Sequence, residues 1–158
     1  MEGRSVSENS GALQRMQRLM EEEIPLARAG GFRLREVSAD RVRLWGPYEK
    51  NTNHHRTVFG GSISTAQILC GWVMAQSLLN RIDPAGTIVI ERHTTEFLSP
   101  LRKDFIACCT GPDNVEVERI KRELKQSGRS RLELQVVLYP EEGTREAARF
   151  SGVYYMRG

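Results

Sequence analysis

Between Arg56 and Arg81 the chain runs for 24 residues, Thr57 to Asn80, without an Asp, Glu, Lys or Arg. Charge is plentiful elsewhere: 27% of the 158 residues are Asp, Glu, Lys or Arg, so about six charges would be expected in a stretch of that length. A segment so depleted belongs in a bilayer or in a protein interior. A bilayer span takes about 20 predominantly apolar residues. The longest unbroken apolar run here, counting glycine, is only Ile68 to Ala75, and Ser62, Ser64, Gln67, Gln76 and Ser77 interrupt the rest. The segment therefore reads as a helix from about Gly61 or Ser62 to about Asn80, buried on almost all sides inside a protein and not within a membrane.

The length fits one core, so residues 11–158 are expected to form a single domain behind a flexible, Ser/Gly/Glu-rich segment over residues 1–10. Leu13, Met16, Met20 and Ile24 recur at helical spacing over Ala12–Ile24, where Pro25 ends the run. Phe32–Val37 and Arg41–Trp45 alternate apolar residues with arginines and read as a half-exposed hairpin. After the charge-free helix, strands are expected at Thr87–Leu98, Asp104–Thr110, Arg131–Tyr139 and Arg145–Met156. A short helix or turn over 113–126 is expected between the second and third of these, with Asp113 as its N-cap. Consecutive strands joined by short turns imply an antiparallel sheet. The predicted fold class is α+β, a long central helix wrapped by a curved antiparallel sheet of five to six strands. One sheet cannot enclose a helix all the way round, so part of the helix should face a second subunit or a bound apolar chain.

Charge and cysteine usage narrow the setting. The 23 basic and 20 acidic residues leave a net charge of only +3, and the basic residues are scattered among glutamates, which argues against a nucleic-acid partner. Three cysteines, Cys70, Cys108 and Cys109, are an odd set suited to a reducing compartment, and Met1–Ser10 has no apolar signal-peptide core. A cytoplasmic location is expected. Cys108 and Cys109 should face opposite sides of a strand, neither obviously reactive.

The densest polar cluster, Asn51 to Ser62, stands directly before the buried helix. Free backbone amides at Gly61, Ser62 and Ile63 would carry the positive end of the helix dipole and suit a carbonyl or oxyanion, with Gly60 and Gly61 admitting a ligand close to the backbone. The same residues equally suit a tight turn, with Ser62 as N-cap and the asparagines making side-chain turns. Sharper catalytic patterns are missing. Gly60-Gly61-Ser62-Ile63-Ser64 lacks the second glycine of a nucleophile elbow, and there is neither a dinucleotide-binding glycine pattern nor a P-loop. The adjacent His54 and His55 cannot easily turn both rings to one ion and no paired cysteine spacing helps, so neither a metal nor a cofactor is expected.

Asn51, Asn53, His55, Thr57, Phe59, Gly61 and Ser62 form a spaced motif, followed by Gly71-Trp72 inside the helix, then Phe97-Leu98-Ser99-Pro100 and Phe150-x-Gly152-x-Tyr154. In this combination, over roughly residues 11–156, the sequence resembles the hotdog-fold thioesterases, and among them the family typified by the C-terminal domain of YiiD. The resemblance implies the hotdog fold and a homodimer or dimer of dimers with sites at subunit interfaces. It also implies acyl thioesters of coenzyme A or acyl carrier protein as substrates. The thioester carbonyl would sit at the amides of Gly61 or Ser62, with Asn53 and His55 positioning or activating a water and Gln67 orienting it from a partner subunit. Phe59, Gly60, Gly61, Ser62 and Phe97 would bind substrate. Phe59, Ile63, Trp72 and Phe97 are candidates for an acyl tunnel or for ordinary core.

Two departures stand against that frame. Better-known hotdog thioesterases carry His-Gly-Gly where this chain has Phe59-Gly60-Gly61, and many hold a catalytic acid on the central helix, which here has none. Glu96 is the nearest carboxylate by motif position, though a surface ion pair suits it better. A dehydratase-like reaction on an acyl thioester, or an acyl-binding or dimerisation module without turnover, are the alternatives.

Overall fold

The computed structural model describes the backbone of residues 3–158 and side chains from residue 11 onward. Of the segment expected to be flexible, Met1 and Glu2 lie outside the described residues, and residues 3–10 are described as helical backbone only. The elements run α1 (Gly3–Glu23), α2 (Pro25–Ala29), β1 (Arg33–Val37), β2 (Arg41–Gly46), α3 (Gly60–Ile82), β3 (Thr87–Phe97), β4 (Phe105–Thr110), α4 (Asn114–Ser127), β5 (Arg129–Pro140) and β6 (Ala148–Arg157). Six strands form one antiparallel sheet in the order β1, β2, β4, β5, β6, β3. This is the long helix wrapped by an antiparallel sheet that the alternation and the charge gap predict, and the hotdog fold that the resemblance implies.

The differences from expectation lie at element ends. Pro25 does stop α1, but it then opens α2 as its first helical residue, where a missing N–H costs nothing. The helix α3 starts one residue early, at Gly60, and extends past the charge gap to take in Arg81 in its last turn, where a cation complements the dipole. The ambiguous 113–126 region is a full 14-residue helix. Asp113 caps it by accepting the Glu116 N–H at 2.8 Å, and Gly128 ends it in the left-handed region at φ 72°.

α3 lies against the concave face of the sheet. Ile63, Ala66, Cys70, Val73, Met74 and Leu78 are buried there against Val42, Leu44, Ala107, Leu134 and Phe150 of one continuous core. The tightest contact is at Gly71. Tyr154 of β6 donates its hydroxyl to the Ile68 carbonyl at 2.7 Å, and a Cβ at Gly71 would fall 2.3 Å from that oxygen. Glycine here lets an aromatic ring reach a backbone acceptor inside the helix–sheet seam. Thr65, Ile68 and Trp72, on the opposite side of α3, are only half-buried, as expected of a helix that one sheet cannot enclose.

The two sheet edges differ. Along β1, Gln17 of α1 covers the exposed backbone: its Oε1 accepts the Leu34 N–H at 2.7 Å and its Nε2 donates to the Phe32 carbonyl at 3.3 Å. β3 pairs with β6 alone, and Val89 and Phe97 on it are exposed.

Gly71→Ala is expected to lower stability by about 1–3 kcal/mol, because overpacking at the Tyr154 hydroxyl outweighs the better helix propensity of alanine. Chemical denaturation of the two proteins measures it; an equal or higher midpoint for the variant would contradict the tight seam.

Candidate active site

The loop before α3 is built by its asparagines. Asn51 is buried; its Nδ2 donates to the carbonyls of Gly30 (2.9 Å) and Pro47 (2.8 Å), and its own carbonyl accepts the Phe59 N–H at 2.7 Å. Asn53 closes the turn above it. Its Oδ1 accepts the backbone N–H of His55 at 3.0 Å and of Thr57 at 3.1 Å, while its Nδ2 donates to Thr57 Oγ1 at 2.9 Å. Arg56 sits in the left-handed region at φ 58°, with its carbonyl held by the Tyr48 hydroxyl at 2.8 Å. The side-chain turns anticipated for these asparagines are therefore present, and Asn53 presents His55 at the tip. His54 and His55 are exposed, with ring centroids 3.9 Å apart.

Ser62 is not the cap of α3. Phe59 occupies that position in extended geometry and offers no side-chain cap. The first helical bond runs from the Ile63 N–H to the Phe59 carbonyl at 3.1 Å, so the amides left free are those of Gly60, Gly61 and Ser62. The set is shifted one residue from the expected trio. Uncapped amides at the start of a long helix are a ready acceptor site for a carbonyl oxygen or an anion.

Two phenylalanine rings flank this helix start. A Cβ at Gly61 would meet Phe59 Cε1 at 2.4 Å, and one at Gly60 would meet Phe97 Cε1 at 3.5 Å. The Phe59 ring can lie this close only because residue 61 is glycine, whereas a Cβ at residue 60 would meet Phe97 at ordinary contact distance. Phe97 is brought in by its flanks: the Leu98 N–H bonds the Ala147 carbonyl and the Val58 N–H bonds the Leu101 carbonyl, each at 2.8 Å. Between them runs a groove of about 310 Å³, lined by Val58, Gly60, Ile63, Phe97, Pro100 and Leu101 among others. Phe59 and Phe97 are 55% and 57% exposed, so each offers a bare aromatic face.

Gln67 follows Gly60 and Ile63 at i+7 and i+4 on the same side of α3. It is fully buried, and neither amide atom has a hydrogen-bond partner. An unpaired buried amide is costly, by about 1–3 kcal/mol for each unmet group. Gln67 is buried on the side of α3 that carries Gly60 and Ile63, and it does not itself line the groove. Trp72 does not join this groove. It lines a separate one with Thr65, Ile68 and Ile90, so of the four residues considered together as a tunnel Ile63 and Phe97 line one groove, Trp72 the other and Phe59 neither. Glu96 is exposed, and its register partner Arg149 pairs with Glu146 instead.

Sequence reasoning did not single out Asn51 as a buried hub or Thr65, whose hydroxyl donates to the Gly61 carbonyl at 2.8 Å. One acceptor of Asn51, the Gly30 carbonyl, comes from a distant turn, and no local pattern reveals it. The cysteines stay outside the chemistry. Burial raises the Cys70 thiol well above its ordinary value and pushes Cys109 up to about 12, and desolvation raises Cys108 as well. Cys70 sits with its sulfur 3.5 Å from the carbonyls of Val42 and Ala107.

A model of the family described as "Putative thioesterase (yiiD_Cterm)" matches residues 13–157. Among solved structures, a Chlorobaculum tepidum protein of unknown function superposes with a TM-score of 0.88 at 20% identity, over 94% of this chain and 96% of that one. A protein from Shewanella oneidensis, described as a "putative thioesterase", gives 0.80 at 22% identity over 94% and 99%. A Pseudomonas aeruginosa protein described as a "Probable Thioesterase" gives 0.79 at 23% identity over 91% and 94%. At these identities the likeness is one of fold.

Two outcomes follow from the site's geometry. Gln67→Leu should raise the thermal midpoint, since it removes two unmet polar groups while keeping side-chain volume; a lower midpoint would mean that the amide is satisfied in solution. At pH 8 the native protein should react with a thiol reagent far more slowly than the unfolded chain, because all three thiols are held protonated. Rapid labelling of Cys70 or Cys109 would contradict their burial.

Proposed function

Because the chain belongs to the family described as "Putative thioesterase (yiiD_Cterm)", we propose that it hydrolyses an acyl thioester of coenzyme A or of acyl carrier protein, in the cytoplasm, at a site completed between two copies of the chain. The observation that carries this reading is the uncapped start of α3, three free amides between two aromatic rings, with an unpartnered buried amide further along the same helix face. A thioester needs what such a place offers: donors aimed at the oxygen that becomes negative during attack, and apolar walls on either side.

In this mechanism the substrate carbonyl accepts hydrogen bonds from the amides of Gly61 and Ser62. Gly60 lets the thioester approach the backbone, and Phe59 and Phe97 pack against it. His55 removes a proton from a water molecule as the water oxygen bonds to the carbonyl carbon. The C–O π electrons move onto the oxygen facing the amides. Collapse of this tetrahedral species breaks the C–S bond, and the thiol leaves with the proton that His55 held. Asn53 is a positioning residue, fixing the turn that carries His55. Gln67 orients the attacking water through the amide that has no protein partner. No carboxylate is needed on α3, which has none.

The open edge of β3 supports a homodimer, with pairs of dimers as its extension. An exposed edge 11 residues long is normally paired or covered in a soluble assembly. No helix among the described residues is long and apolar enough to cross a membrane.

The decisive measurement is thiol release from a panel of acyl-CoA and acyl-carrier thioesters. Wild type is expected to turn over, and His55→Ala to lose about 100-fold or more in kcat, the usual weight of a general base. Gln67→Leu should lose activity while gaining stability. Binding without thiol release would replace this reading with an acyl-binding module, and hydration of an enoyl thioester would replace it with a dehydratase-like reaction. A monomer by sedimentation at micromolar concentration would remove the shared site.

A further inference from the structure

The convex face of the sheet carries one corner that the proposed reaction leaves unused. Register sets two rows there across β5, β6 and β3: Arg131, Tyr155 and Val89 in one, Arg129, Arg157 and Thr87 in the next. These six are exposed or half-buried, while Ser130, Leu132, Tyr154 and Met156 between them are buried toward α3. A cleft of about 610 Å³ opens over the corner, lined by Val89, Glu91, Arg129, Arg131 and Tyr155, within the roughly 300–1,000 Å³ usual for a small-ligand site.

The first row is a fixed platform. A bulge between Ile90 and Arg92 takes Glu91 out of the ladder. Its carboxylate reaches across β6 to Arg131, accepting from Nε at 2.8 Å and from Nη2 at 2.9 Å. The guanidinium so held lies 5.1 Å from the centroid of the Tyr155 ring. Its outer face is left for a further flat group, with the exposed Val89 beside it.

The second row is unbalanced. Arg129 and Arg157 are direct register partners, and like charges set opposite each other are destabilising. Neither forms an ion pair among the described residues. The acids around them are engaged elsewhere: Glu91 on Arg131, Glu123 on Arg119 and the Ser130 hydroxyl, and Glu133 on the Ser151 hydroxyl. Asp83, beside Gly158, accepts the Ala85 N–H. Two facing guanidiniums without a counter-ion suit a dense anion from outside, and one phosphoryl group has oxygens for both.

We propose that this corner binds a nucleotide, its base laid on the Arg131 guanidinium and its phosphates held between Arg129 and Arg157. The two rows lie about 7 Å apart along the strands, a step that one nucleotide spans from base to phosphate. An acidic protein would need a contact of roughly 20–30 residues, whereas five line this cleft. The site is separate from the helix start, which lies against the other face of the sheet beside Phe97, at the far end of β3. Strand addition at β3 uses backbone groups in the plane of the sheet and leaves this face open.

Calorimetric titration of the full chain with ADP, adenosine and inorganic phosphate tests the site. ADP is expected to bind at least tenfold more tightly than either fragment. Arg129→Gln and Arg157→Gln should each weaken ADP at least tenfold, and Arg131→Gln should bring ADP down to the level of phosphate. The first two variants should also raise the ligand-free thermal midpoint at low salt, because each relieves the facing charges, so that lost binding is not lost folding. A lower midpoint contradicts the repulsion on which the site rests. ADP binding no tighter than phosphate, or unchanged in both variants, overturns the proposal. Saturable binding of a poly-glutamate peptide without binding of ADP also overturns it, and makes the corner a surface for an acidic protein.

Coenzyme A carries the same adenosine and phosphates as a free nucleotide, and its titration separates the two sources. Tighter binding than ADP, with Arg129→Gln raising KM for acyl-CoA by more than it lowers kcat, means that the site takes the carrier end of the substrate. Binding no tighter than ADP, with KM unmoved, means that it takes a free nucleotide. Failure to hydrolyse any thioester would sink the proposed reaction, while the ADP titration would still decide this site.

Discussion

Everything in this fold depends on giving a helix with no charge before its last turn a surface to leave water for. α3 buries eleven of its residues, and the concave face of the sheet covers most of them. Each apolar side chain removed from water contributes on the order of 1.5–3 kcal/mol, so the helix and the concave face are stable only together. The alternation along β5, with Leu132, Leu134, Val136 and Leu138 all inward, is the complement of that need. A one-residue slip in this strand would turn all four to solvent.

Close packing around such a helix leaves little room for side chains at the contact points, and glycine recurs there for a physical reason. At Gly71 it admits a tyrosine hydroxyl to a helical carbonyl; at Gly61 it admits the Phe59 ring to the helix start. The same property thus produces a rigid seam in one place and an approachable backbone in another. What differs is the state of the amides. Within the helix they are spent on one another, and at its start they are free.

The sequence made the large features legible because they rest on periodicity. Leu132–Leu138 alternates, Leu13–Ile24 repeats at three and four, and the charge gap marks α3 almost to its ends. The site was legible as a location but not in detail. Ser62 is the usual kind of N-cap residue, yet the chain is pinned upstream by the Phe59 N–H on the buried Asn51 carbonyl, which sets the helix start one residue earlier. Ile63 and Trp72 looked like members of one lining; nine positions apart, they point to different sides of the helix, and only the surrounding elements reveal what each faces. The unpaired state of Gln67 was beyond any pattern, since glutamine in an apolar run says nothing about who its neighbours are.

The unequal treatment of the two sheet edges governs how copies of this chain can meet. Gln17 occupies the Leu34 N–H and the Phe32 carbonyl at the β1 margin, whereas the far side of β3 keeps a row of backbone donors and acceptors unspoken for. In the proposed homodimer, strand addition at β3 would therefore close on itself about a two-fold axis and leave no second open margin of the same kind for a filament.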